Sequence, residues 1–302
     1  MKTKLNYGFI GCIEFSKDCL ETLIQNNIKP KKVFIGNKNF RKINSDYCDY
    51  SYLCKKNKID YMYFSYINDP KIKNEIIKKK LDVVFVLGLS QIINEEILKC
   101  AKIGFIGSHP TLLPLNRGHH PIIWAIANGL KWTGITLFWL DKGIDTGYIF
   151  KQKKILIKKR YTAKDLLLEV TKITKELLLK GIQELEAGKI TKIKQPLTSN
   201  YWRKRTFKDG VIDWRMSAER IINLIRALYE PYPNAVFEYK NNYYKIKEAK
   251  IIKTKKYIDN IEPGKIIKVF NDKSFIVKTG DKLIKIIKHT LIDLPKEGEY
   301  LI

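Results

Sequence analysis

The sequence predicts an α/β fold: a doubly wound parallel sheet over residues 1–200, followed by a smaller all-β domain within residues 201–302. Three observations predict it. Leu81 to Leu87 (LDVVFVL) is a continuous, largely β-branched apolar run of the kind that parallel sheets bury on both faces. Short apolar runs alternate with helical patterns through residue 188. From Ala235 the pattern changes to short alternating strands parted by Asn241-Asn242, Pro263-Gly264, Asn271-Asp272 and Gly280-Asp281, which suggests a small barrel.

The elements follow in order. Leu5 to Gly11 reads as a central first strand, and Phe15 to Ile24 as an amphipathic helix with Ser16 at its N-cap. No G-x-G-x-x-G follows the first strand, so a dinucleotide fingerprint is not supported. Lys32 to Ile35 and Tyr61 to Phe64 read as strands; Asp69 to Lys80 reads as a charged helix with Ile72, Ile76 and Ile77 at helical spacing. After the Leu81–Leu87 strand come a short helix, Ile93 to Cys100, and a strand ending at Gly107 and Ser108. Pro121 to Asn128 reads as a helix, Gly134 to Leu140 as a strand, and Tyr148 to Ile157 as extended chain. Thr162 to Ala187 forms a long helix whose stripe includes Leu166, Val170, Ile173, Leu177 and Leu178. Residues 189–210 are polar and read as a linker before a helix over Ser217 to Leu228.

An apolar content of 45% is ample for a packed core. The net charge of +26 admits a polyanionic partner, yet the basic residues are mostly Lys spread along the chain beside abundant Ile and Asn. A general compositional bias explains that pattern equally well. Five scattered Cys without a C-x-x-C pair suit reduced thiols in a cytoplasmic protein. The apolar run in MKTKLNYGFIGC is too short for a leader, and no stretch approaches the ~20 apolar residues of a membrane span.

Residues 103–147 concentrate the chemistry, with three of the four His residues, an Arg-Gly pair and Asp141-x-Gly-x-Asp145-Thr-Gly. His109 and Asp145 each follow a strand, and two neighbouring parallel strands would deliver both to one rim. A carboxylate-held imidazole is a general base near neutral pH. The bland alternatives are a structural His at a strand end and a turn-forming Asp. His119 and His120 lack further ligands at metal spacing, so no metal is expected.

His109-Pro-Thr-Leu-Leu-Pro-Leu-Asn-Arg117-Gly118, Pro121-x-x-Trp124, Gly134-Ile-Thr136 and Asp141-x-Gly-x-Asp145-Thr-Gly resemble the N10-formyltetrahydrofolate-dependent formyltransferases. That family includes methionyl-tRNA formyltransferase and the sugar-nucleotide N-formyltransferases. Leu87-Gly88-x-Ser90-Gln91 and Asp209-Gly-x-Ile-Asp213-Trp214 fit the same pattern. The resemblance implies a Rossmann-like catalytic domain and an OB-like C-terminal β-barrel. It implies that His109 takes the amine proton or stabilises charge as the imidazolium, and that Asp145 orients the ring. It also implies folate contacts through Gly88, Ser90, Gln91, Ile93, Arg117, Gly118 and Asp141, with the pterin received by backbone groups. One position departs from the family: its oxyanion-stabilising Asn falls on Gly107, which has no side-chain donor. Losing such a donor typically costs ~10²–10³ in rate. Ser108, His120, a backbone N–H and a bound water are the candidate replacements, and loss of catalysis is the other reading.

The acceptor is read from Tyr201-Trp202-Arg203-Lys204-Arg205, which resembles the segment before Asp-Gly-x-Ile-Asp-Trp in the sugar branch. Aromatic surface beside three cations suits base stacking and diphosphate neutralisation. A basic linker packing its aromatics on the core is the plain alternative. The Arg-rich insertion of the tRNA enzymes is not evident, since residues 36–58 hold only Arg41 besides Lys. The expected partners are therefore folate and a dTDP- or UDP-linked amino sugar, with no nucleic acid or membrane. Met-tRNA is the second acceptor, and the sugar branch implies a homodimer.

Overall fold

The structure is a computed structural model that describes residues 5–254 and 258–301. The first four residues, part of the segment read for a leader, lie outside it. The chain divides into two compact units, residues 1–121, 133–156 and 168–202 in one, and 122–132, 157–167 and 203–302 in the other.

The first unit holds the sheet. In chain order its elements are β1 (Tyr7–Gly11), α1 (Glu14–Gln25), β2 (Lys32–Gly36), α2 (Ser51–Lys56), β3 (Tyr61–Phe64), α3 (Pro70–Lys78), β4 (Val83–Val86), α4 (Glu95–Leu98) and β5 (Gly104–His109). Next come β6 (Arg117–Gly118), α5 (Pro121–Ala127), β7 (Trp132–Trp139), β8 (Ile149–Leu156), α6 (Ala163–Glu186) and β9 (Tyr201–Trp202); most of α5 and the first turn of α6 fall in the second unit. Seven strands run in the order β3-β2-β1-β4-β5-β7-β8. β1 through β5 pair in parallel, and every residue of β1, β2 and β4 is buried. Ile10, Phe34, Val84, Val86 and Phe105 join Ile72, Ile76 and Ile97 in one core cluster. Each such side chain contributes about 1.5–3 kcal/mol by leaving water. Ile77, expected on the same stripe, is 52% exposed, because α3 turns only Ile72 and Ile76 inward.

Two expectations are corrected here. β5 and β7 pair antiparallel, with Ile106 opposite Trp139 and His109 opposite Thr136. Asp145 therefore reaches His109 on a returning loop rather than from the carboxyl end of a parallel strand. Ser16 is not the N-cap of α1: that place belongs to Ile13. One turn in, the Ser16 hydroxyl accepts from the Ile13 N–H at 3.3 Å and donates to the Leu87 carbonyl at 2.6 Å. It thus fastens α1 to the end of β4.

The second unit contains α7 (Ala218–Ala227), capped by the Ser217 hydroxyl. Its strands are β10 (Ala235–Tyr239), β11 (Asn242–Ile252), β12 (Ile266–Val269), β13 (Phe275–Lys278) and β14 (Leu283–His289). They form an antiparallel sheet in the order β10-β11-β14-β13-β12. These are the short strands the sequence predicts. Phe237, Phe275, Ile246, Ile284 and Ile286 are fully buried in it.

Candidate active site

The strand order reverses direction at β1 and β4, where an open α/β sheet forms its binding crevice. Gly88 to Ile93 leave β4 at this point. The Gly88 carbonyl accepts from the Cys12 thiol at 3.1 Å. Ser90 Oγ donates to Asn44 Oδ1 at 2.8 Å. The Gln91 amide bridges Ser65 and Ile67, donating to the Ser65 carbonyl at 2.8 Å and accepting from the Ile67 N–H at 2.7 Å. Ile93 is buried. The side chains of Ser90 and Gln91 thus shape the loop. Among the described residues, the N–H groups of Leu89 through Ile93 donate to no protein acceptor.

His109 ends β5 with 5% of its surface exposed. Its Nε2 lies 2.8 Å from the Asn116 carbonyl. A carbonyl only accepts, so Nε2 carries the proton. Nδ1 then faces Asp145, 3.5 Å from Oδ2. That carboxylate oxygen also accepts from the Gly118 N–H at 2.8 Å. Asp145 has φ 56°, a left-handed conformation that costs a non-glycine residue about 1 kcal/mol or more. The turn fixes this conformation from several sides. Asp141 Oδ1 accepts from the Gly143 N–H at 3.0 Å and from the Thr146 hydroxyl at 2.6 Å. Gly147 lies so close to β7 that an added Cβ would sit 1.7 Å from the Trp139 carbonyl.

Arg117 and Gly118 form a two-stranded parallel ribbon with Tyr201 and Trp202. Gly118 has φ 97°, and a Cβ there would meet the Trp202 carbonyl at 2.4 Å, so glycine alone permits this approach. The Arg117 guanidinium is buried among neutral partners, donating to Gln195, Ser199 and Tyr201. Residues 189–210 were expected to be a linker. Their first part instead threads the site, through Gln195, Ser199, Asn200, Tyr201 and Trp202. A cavity of about 350 Å³ lies here, lined by Arg117, Asp141, Tyr148, Lys194, Gln195 and Leu197 among others.

Ser108 sits beside His109 in β5, opposite Leu137, and is half-buried. Gly107 pairs with Val86 on one side and Phe138 on the other. A Cβ there would lie 2.5 Å from Leu140 Cδ2, so Leu140 fills the space a side chain would need. The acceptor segment divides between the units, with Tyr201 and Trp202 in the first and Arg203, Lys204 and Arg205 in the second. Arg203 binds both oxygens of Asp209 and covers the Trp124 ring at 5.3 Å, while Lys204 is exposed and Arg205 half-buried. Gln195 is the site residue that sequence reasoning missed, and nothing in a polar stretch distinguishes a buried amide from solvated ones.

The sheet topology and the His–Asp pair place an acid–base site at the end of β5 in an α/β fold. The formyl transferase family matches residues 23–182, and the formyl transferase C-terminal domain matches residues 205–293. A methionyl-tRNA formyltransferase of Thermodesulfovibrio yellowstonii is 36% identical over 222 residues, covering 72% of this chain and 70% of that protein. The bifunctional polymyxin resistance protein ArnA of Wigglesworthia glossinidia brevipalpis is 39% identical over 181 residues, covering 60% of this chain and 28% of its own length. Among solved structures, an N-formyltransferase of Helicobacter canadensis in complex with folinic acid and dTDP-3-aminofucose superposes with TM-score 0.70 at 21% identity, covering 95% of this chain and all of that one. WlaRD, a sugar 3N-formyl transferase, superposes with TM-score 0.68 at 21% identity, covering 93% of this chain and 96% of its own. The chain belongs to the formyl transferase family and is an N-formyltransferase.

Proposed function

We propose that the protein transfers a formyl group from N10-formyltetrahydrofolate to the amine of a dTDP- or UDP-linked amino-deoxysugar, in the cytoplasm, for a surface polysaccharide or flagellar glycan. The catalytic domain is residues 1–200, with residues 201–302 as the C-terminal domain. The observation that carries the reaction is the buried His109 facing the half-buried Asp145, which is held by Gly118. The folate supplies the activated formyl carbon. The unpaired N–H groups of Leu89 to Ile93 are donors suited to a flat heterocycle rich in acceptors. His109 takes the amine proton on Nδ1, the nitrogen that is not already a donor to Asn116. Asp145 stabilises the imidazolium that results. That cation, in a site of low exposure, offsets charge on the tetrahedral oxyanion in place of the absent Asn side chain. Tyr201 and Trp202 offer stacking surface to the nucleotide.

The test is incubation with formyl-folate and a panel of amino-sugar nucleotides or Met-tRNA, read by product mass. A gain of one formyl group on a sugar nucleotide is expected. Formylation of Met-tRNA alone, with tRNA affinity that collapses in salt, would overturn the sugar assignment. The tRNA reading draws on the 36% identity to a methionyl-tRNA formyltransferase and on the charge of +26.

A further inference from the structure

We propose that Gln195 is a positioning residue for the reaction, acting on His109 through Asp145; the inference rests on the formyl-transfer reading above. Gln195 is 8% exposed in a stretch that is otherwise mostly exposed. Its amide is fully used. Nε2 donates to the Asp145 carbonyl at 2.9 Å and to the Gly147 carbonyl at 2.7 Å. Oε1 accepts from Arg117 Nη2 at 2.6 Å and from Nε at 3.3 Å. Carbonyls on one side and a guanidinium on the other fix which amide atom is which. No polar atom of the Gln195 side chain remains for a substrate, so its amide acts through Asp145 rather than on the reacting groups.

The Asp145 carboxylate is held in two ways. Gly118, next to Arg117, grips its Oδ2. Gln195 grips the backbone on both sides of Thr146 and ties it to Arg117. The left-handed Asp145 thus sits in a closed circuit: Gln195 to the 145–147 turn, the carboxylate to Gly118, Arg117 back to Gln195. Opening that circuit frees the carboxylate to drift from His109 Nδ1. Displacement of about 1 Å in a catalytic group costs on the order of 10² in rate. Only an amide fills this place. Glutamate would keep Arg117 but set a carboxylate against two carbonyls. Methionine keeps the volume and loses every hydrogen bond.

Gln195→Met and Gln195→Glu should each fold, checked by thermal unfolding, and each should lower kcat about 10²-fold with KM for both substrates changed less than about threefold. In an Asp145→Asn background Gln195→Met should cost nothing more, because its effect passes through Asp145. Additive losses, or a rise in KM with kcat intact, would overturn the proposal. A second readout needs no acceptor. With ¹⁵N-labelled histidine and the His109 signals assigned by His109→Ala, Gln195→Met and Gln195→Glu should move the His109 Nδ1 resonance in the direction Asp145→Asn moves it. A resonance left at its wild-type position would refute the role of Gln195 even if every acceptor tried proved wrong. Absence of sugar-nucleotide turnover in the wild-type protein, with the resonance shifted as expected, would sink the acceptor assignment and leave the coupling of Gln195 to His109 through Asp145 standing.

Discussion

Asp145 Oδ2 stands 3.5 Å from His109 Nδ1 while the other ring nitrogen donates to the Asn116 carbonyl. The ring is held at Nε2, which leaves Nδ1 facing the Asp145 carboxylate. His109→Ala should lower kcat by about 10²–10⁴, the usual worth of a general base. Asp145→Asn should lower it similarly while leaving folate binding within a few-fold. Isothermal titration with folate alongside turnover measurements separates the two effects. Wild-type kcat in either variant would remove that residue from the mechanism.

Gly107 and Leu140 form a complementary pair, since a Cβ at 107 would lie 2.5 Å from Leu140 Cδ2 and 3.3 Å from its Cγ. Restoring the family Asn by Gly107→Asn should therefore destabilise the fold by ~1–3 kcal/mol through overpacking. It should not raise kcat. Adding Leu140→Ala makes room, and the double variant should regain part of the lost stability and exceed Gly107→Asn in kcat. Thermal melts and turnover of the three variants decide this. An unchanged melting temperature in Gly107→Asn alone would show that Leu140 does not fill the space.

The fold was legible where one residue pattern has one structural meaning. Val83 to Val86 is apolar throughout and mostly β-branched, the pattern of a strand buried on both faces. The terminal strands were marked by their turns. The direction of β7 was not legible, because an apolar run such as Gly134 to Leu140 reads the same either way, and the connection between β5 and β7 carries a helix as a parallel crossover would. The motif marks Asp145 but does not reveal that it arrives on a returning loop. Ser16 looked like a cap because it precedes a helical pattern; its bond to Leu87, 71 residues away, leaves no local trace. Gln195 was hidden in the same way, since its partners Arg117, Asp145 and Gly147 are all distant in sequence.

Asp209 accepts from the Arg203 guanidinium and from the Thr206 N–H, and these bonds, Arg203 foremost, hold its carboxyl far below the usual value. A depressed folded value means stability that is present above the unfolded value of about 4 and is lost as pH falls below it. Asp209→Asn removes this contribution. The variant should melt below wild type at pH 7 and at pH 5, and the gap should narrow by pH 3. A gap that stays constant or widens on acidification would contradict the Arg203–Asp209 assignment.

Burial pushes the thiols of Cys12 and Cys54 up to about 12, and burial with a hydrogen bond to Glu14 does the same for Cys48. Burial also raises Cys19 and, with partial exposure remaining, Cys100. The thiolate is the reactive form, so at pH 7.5 a thiol titrating near 12 holds about a thousandfold less thiolate than an ordinary one. In the folded protein, iodoacetamide should therefore label Cys100 first and leave Cys12, Cys19 and Cys54 unmodified over hours. All five should react within minutes in guanidinium chloride. Peptide mapping after timed quenching reads the order. Cys12 closes on the Gly88 carbonyl, so early labelling of Cys12 in the native protein would mean that the loop from Gly88 to Ile93 opens far more often than its hydrogen bonds to Asn44, Ser65 and Ile67 allow.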